Sequence, residues 1–182
     1  MKQVESRELK NGMTKMKRSF PVVILVGLLM PLMMVTSQAV RAEETGGSEF
    51  RLFIGHILPN QIEGVTEIMP VFGASYGLQT AAGVVELGGS NVHAEGVDFT
   101  TFSGSLAGQF PAAPDILGLV YGGLDLNYYR PVNESARKTE TGVHFGTGML
   151  LHVANTLWLR GDIKMMGGPG TSLWILFGLV FR

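Results

Sequence analysis

The chain has no cysteine, which excludes disulfides, thiolate metal sites and cysteine nucleophiles together. Charge is scarce, at 16% of the 182 residues, and almost balanced, with 14 basic and 15 acidic side chains. The basic excess that marks a nucleic-acid partner is therefore missing. Past residue 35 no hydrophobic run reaches the roughly 18 residues of a membrane-spanning helix without glycine or charge. A helical bundle is disfavoured by 25 glycines, each of which costs roughly 1 kcal/mol inside a helix. What is present is a chain that is 46% hydrophobic, too apolar to remain disordered.

Two segments differ sharply. Lys15-Met16-Lys17-Arg18 precedes an uncharged run from Phe20 to Val35, and Val40-Arg41-Ala42 follows it. A basic patch, an apolar run and a small-residue site are the parts of a secretory signal peptide. The run holds 16 residues and is interrupted by Pro21 and Pro31, short of the roughly 20 a spanning helix needs. Residues 1–42 are thus expected to be a leader cleaved after Ala42, with Met13 and Met16 as alternative starts. Residues 43–182 form the mature domain. Removing the seven basic and two acidic residues of the leader leaves seven basic and thirteen acidic ones, a net charge of −6. That acidity argues against nucleic acid and against docking on anionic lipid.

The mature segment alternates with a period of two, the signature of strands with one buried face. Leu157, Leu159, Gly161, Ile163 and Met165 oppose Trp158, Arg160, Asp162 and Lys164. Val143, Phe145, Thr147, Met149, Leu151 and Val153 oppose His144, Gly146, Gly148, Leu150 and His152. Leu124, Leu126 and Tyr128 oppose Asp125, Asn127 and Tyr129. Pro111–Asp115, Ala154-Asn155 and Gly167–Gly170 read as turns, and Pro131–Glu140 as a longer polar loop. Eight strands are expected, at about 49–58, 66–78, 81–92, 97–110, 116–130, 141–153, 156–166 and 171–182. The second contains Pro70, which a sheet tolerates only at an edge, a strand start or a bulge. Short links after the second, fourth and sixth strands, and more polar ones elsewhere, describe an all-β, antiparallel, up-and-down barrel.

Such a barrel can face either way. A soluble, lipocalin-like carrier turns the apolar face inward, whereas a transmembrane barrel turns it to lipid and packs a polar lumen. Strands of about 10 to 14 residues suit a bilayer at the usual tilt. Opposite charges recur on the polar face. In the membrane phase Trp158 and Trp174 point into the lumen, while Tyr128 and Phe181 suit an outer aromatic girdle.

The last strand, Thr171-Ser-Leu-Trp-Ile-Leu-Phe-Gly-Leu-Val-Phe-Arg182, carries an unbroken apolar row of Leu173, Ile175, Phe177, Leu179 and Phe181. It resembles the terminal strand of bacterial outer-membrane barrels, which ends in an aromatic; here the aromatic is penultimate and Arg182 follows. Across residues 49–182 the chain is similar to the small eight-stranded class, such as the OmpA membrane domain and OmpX. The resemblance implies an outer-membrane location and a monomer. It implies contact with outer-membrane lipids and lipopolysaccharide, and recognition of the C-terminal strand by the barrel-assembly machinery. It transfers no functional residue.

Candidate chemistry is sparse. His56, His93, His144 and His152, with Glu67, Glu86, Asp98, Asp125 and Asp162, are the titratable groups of catalytic type. His152-Val-Ala-Asn155 is similar to the His-x-Ser-Asn motif of an outer-membrane lipid A deacylase, but Ala154 stands where the nucleophile would be. No catalytic residue, metal site or cofactor is assigned. The readings kept open are a non-enzymatic outer-membrane barrel with a filled lumen, a lipid A-modifying enzyme and a soluble periplasmic carrier. Arg160, Asp162 and Lys164 are expected to form a lumen network with carboxylates from Asp125, Glu86 and Glu67, Asp162 being shared between Arg160 and Lys164. Gly146→Ser, on the same face, is expected to be mild unless it clashes.

Overall fold

The structure, a computed structural model, describes residues 47–60, 67–94, 97–130, 136–168 and 170–182. The proposed leader and its cleavage site lie outside the described residues. Eight strands follow in order: β1 (Ser48–Asn60), β2 (Met69–Thr80), β3 (Gly83–Ala94), β4 (Val97–Ala113), β5 (Ile116–Tyr129), β6 (Lys138–Ala154), β7 (Leu157–Gly167) and β8 (Thr171–Phe181). Each pairs antiparallel with the next, and β1 pairs with β8 from Phe50–Phe181 to Asn60–Thr171, closing the barrel. Closure leaves no unpaired edge.

The period-two pattern decides which side chains go in. On β7, Arg160, Asp162 and Lys164 are buried while Leu159, Ile163 and Met165 are exposed. On β8, Trp174, Leu176 and Val180 are buried while Phe177, Leu179 and Phe181 are exposed. Ile54, Leu87, Leu124, Met149 and Phe177 are each more than 60% exposed. Charge inside and aliphatic surface outside is the arrangement of a transmembrane barrel, the reverse of a carrier with an apolar cavity. Trp158 and Trp174 are inside, as the alternation implies. The outer aromatics near the chain termini come from neighbouring strands, Phe50 opposite both Tyr76 and Phe181.

Ends and irregularities follow local chemistry. β2 begins at Met69 rather than near 66, so Pro70 is its second residue and sits where the ladder starts. Register shifts fall at Pro111/Ala113 and His152/Ala154. Both bulges lie beside short hairpins, where one extra residue on one strand adds twist. Asn155 takes φ 43 in the β6–β7 turn, a left-handed conformation that asparagine tolerates better than branched residues.

Candidate functional site: the lumen

The lumen is layered. Toward the end that carries the β1–β2 and β5–β6 links, Ile57, Val71, Val92, Phe99, Trp174 and their neighbours form an apolar cluster. Toward the end that carries the chain termini, Leu119, Leu150 and Val180 form one small cluster and Val84, Ala107 and Tyr121 another. Polar side chains lie between these layers.

The first polar group joins three strands. Arg51 of β1 bonds Asp162 of β7 and stands 3.9 Å from Glu86 of β3. Arg160 of β7 donates to Glu86 at 2.6 Å and to both oxygens of Asp162 at 3.0 and 3.1 Å. Two cations and two anions therefore cancel in a site where an unpaired charge would be costly. The guanidinium of Arg160 also lies 5.4 Å from the Tyr121 ring centre, and that of Arg51 4.7 Å from Phe53. Close approach of backbone makes room: a Cβ on Gly148 would come 2.4 Å from an oxygen of Asp162.

A second group runs across β4, β5, β6 and β7. Lys164 donates to Asp125 Oδ1 at 3.1 Å. The other oxygen of Asp125 meets His144 Nδ1 at 2.9 Å, and His144 Nε2 meets the Ser105 hydroxyl at 2.9 Å. Further toward the β1–β2 and β5–β6 links, Thr101 donates to Asn127 at 2.8 Å, and Asn127 donates to the Gly168 carbonyl at 2.7 Å. At the terminal end Arg182 turns back on Glu49, with Nε 2.9 Å from Oε2, and lies 5.1 Å from the Trp158 ring. The residue that departs from the usual terminal aromatic thus closes the β1–β8 seam with a charge pair.

Of the six residues expected in the network, Arg160, Asp162, Lys164, Asp125 and Glu86 are brought together in the lumen. Glu67 is not: it precedes β2 and is exposed. The later start of β2 removes it from the ladder that would have turned it inward. Asp162 is shared between Arg160 and Arg51, not between Arg160 and Lys164; Lys164 turns to Asp125 instead. Arg51 was legible in the alternation Glu49-Phe50-Arg51-Leu52-Phe53-Ile54, which places both charges opposite aliphatic residues. At Gly146 the clash that the expectation allowed for is present. A Cβ there would come 2.4 Å from the Tyr121 ring.

The remaining candidates are scattered. His152 is 3.1 Å from the Asn155 carbonyl, and its ring centre lies 4.8 Å from that of Trp158, tilted by 42°, beside the β6–β7 turn. Asp98 pairs with Arg130 at 3.0 Å at the half-exposed rim. His56 faces outward on β1. Among the described residues, no group of three or more His, Asp or Glu side chains is placed to hold a metal ion.

No family model matches the chain, and no curated protein does. Solved structures do. The N-terminal β-barrel domain of Pseudomonas aeruginosa OprF is similar with a TM-score of 0.60 at 15% identity, covering 75% of this chain and 98% of that one. Neisserial surface protein A (NspA) is similar with a TM-score of 0.63 at 14% identity, covering 77% of this chain and 99% of that one. The alternation, the closed antiparallel topology, the apolar exterior and these two likenesses agree: this chain has the fold of the small eight-stranded outer-membrane β-barrels.

Proposed function

We propose that the protein is a monomeric outer-membrane barrel with a side-chain-filled lumen, acting as a structural element of the envelope or through binding by the links at its rim. The observation that carries this reading is the inversion of polarity, with paired charge inside and aliphatic surface outside. In this reading residues 1–42 are removed on export and residues 43–182 make the mature protein. Its outer surface contacts outer-membrane lipids and lipopolysaccharide. β8 is the segment presented to the barrel-assembly machinery. Passive transport is disfavoured because the lumen of an eight-stranded barrel is just wide enough to be filled by side chains, and here apolar layers lie on both sides of the charged one. Neither role requires a chemical step.

The test is membrane fractionation followed by electrophoresis of boiled and unboiled samples. The protein should enter the outer-membrane fraction and change mobility on boiling. Recovery in the soluble periplasm without detergent would refute the proposal.

A further inference from the structure

Ser105, His144 and Asp125 stand in a row, and the charge pairing of the lumen uses only the Asp125 end of it. They come from three adjacent strands. The register sets Ser105 opposite Gly123 and Gly123 opposite His144, so serine and histidine lie two strands apart on one line. Only a glycine between them lets the imidazole lie across β5. A Cβ at Gly123 would come 2.8 Å from His144 Cε1 and 2.8 Å from the Ser105 backbone. Asp125, two residues along β5 on the same face, then meets the far side of the ring.

Charge counting sets the proton positions. Arg51 and Arg160 balance Glu86 and Asp162, and Lys164 balances Asp125. With His144 neutral the buried charges sum to zero, whereas a cationic His144 would leave one charge uncompensated. An ionised carboxylate only accepts hydrogen bonds. The single ring proton is therefore on Nδ1, donated to Asp125, and Nε2 accepts from the Ser105 hydroxyl at 2.9 Å. Nucleophile, base and orienting acid are in the arrangement that makes a serine reactive. Lys164 holds the second oxygen of Asp125 and so keeps the carboxylate turned to the ring. His144 and Asp125 are buried while Ser105 is only half-buried. Ser105 is thus the most accessible residue of the three.

We propose that Ser105 is an activated serine facing the lumen, able to take the acyl or sulfonyl group of small uncharged donors such as short-chain esters. With an ester, Ser105 Oγ bonds the carbonyl carbon and its proton passes to His144 Nε2. The carbon–oxygen bond to the leaving alcohol breaks, and that alcohol takes the proton from His144. Water then attacks the acyl-serine with His144 as base, releasing the acid and restoring Ser105. The inference goes beyond the envelope role proposed above and is independent of it, since a heat-modifiable barrel can stand with Ser105 inert.

The probe is methanesulfonyl fluoride, whose sulfur is attacked by Ser105 while fluoride leaves and the proton passes through His144 to water. Barrel purified from membranes in detergent is treated, and the product is read by intact mass and peptide mass. One methanesulfonyl group should appear, on Ser105. His144→Gln should slow its appearance by roughly 10²–10⁴-fold, the usual contribution of a general base, in protein whose heat-modifiability shows that it is folded. No sulfonylation, or an unchanged rate in His144→Gln, overturns the proposal. Should His144→Gln not fold, the wild-type protein decides alone. Ser103 lies two residues away on the same lumen wall. Modification of Ser105 in preference to Ser103 supports the proposal, and equal modification of the two rejects it.

Discussion

Replacing Arg160 by methionine tests the lumen directly, because methionine keeps an unbranched side chain and removes only the guanidinium. Arg160 is 4% exposed and holds Glu86 at 2.6 Å and Asp162 at 3.0 Å. In its absence Arg51 alone faces two carboxylates, and a balanced quartet becomes a site with one excess negative charge. Breaking a buried pair by removing one partner costs about 3 to 5 kcal/mol. The barrel supplies its own control. Arg130 and Asp98 also form an ion pair at 3.0 Å, but both side chains are more than 40% exposed, and such a pair is worth about 0 to 1 kcal/mol. Urea titrations of barrels refolded into lipid vesicles should therefore show a loss of about 3 to 5 kcal/mol for Arg160→Met and of about 1 kcal/mol or less for Arg130→Met. A second substitution sharpens the argument. Arg160→Met combined with Glu86→Gln leaves Arg51 against Asp162, neutral again, and should be more stable than Arg160→Met alone. If Arg160→Met falls within the range of the rim control, or if the double variant is the less stable of the two, the charge-balance reasoning fails.

Three further outcomes are expected. Ile163→Arg, on the exposed face near the middle of β7, should cost about 2 to 4 kcal/mol in lipid, the penalty for a cation near the bilayer midplane; tolerance of the change in the same titration would contradict an outward lipid face. Gly146→Ser should destabilise by about 1 to 3 kcal/mol through overpacking against Tyr121, whereas Gly161→Ala, whose Cβ would stand 3.7 Å from Phe177, should change stability little; equal midpoints for the two variants would count against this packing. Intact-mass measurement of the protein recovered from envelopes should find a chain that begins at Glu43, and retention of the Phe20–Val35 run would show that the leader is not cleaved after Ala42.

Strand number, order and which side chains share a face were legible in the sequence because they depend on local rules. Side chains alternate at every step along a strand, so Arg160, Asp162 and Lys164 had to share a face whatever surrounded them. The turn at Ala154-Asn155 and the polar link between β5 and β6, shorter than the sequence implies because Lys138–Glu140 join β6, set antiparallel neighbours without reference to the rest of the chain. Two boundaries beside prolines moved: β2 starts later, which displaces Glu67, and β4 runs on through Pro111 to Ala113 where the sequence reads as a turn.

Alternation left open which face met lipid and which partners met across the lumen. The apolar exterior answered the first, and closure of the barrel answered the second. Partners across a lumen are set by the stagger of eight strands acting together, and one residue of slip turns a strand's inward set outward. For that reason Asp162 pairs with Arg51, 111 residues away, and not with Lys164 two positions along its own strand. The clash at Gly146 stayed undecided because a glycine's surroundings are invisible in sequence; the Tyr121 ring that fills them comes from the neighbouring strand. Ser105, Asp125 and His144, spread over forty positions and three strands, have no spacing that sequence rules recognise. Their meeting is a product of register alone, as is the glycine at 123 that lets the ring pass between them.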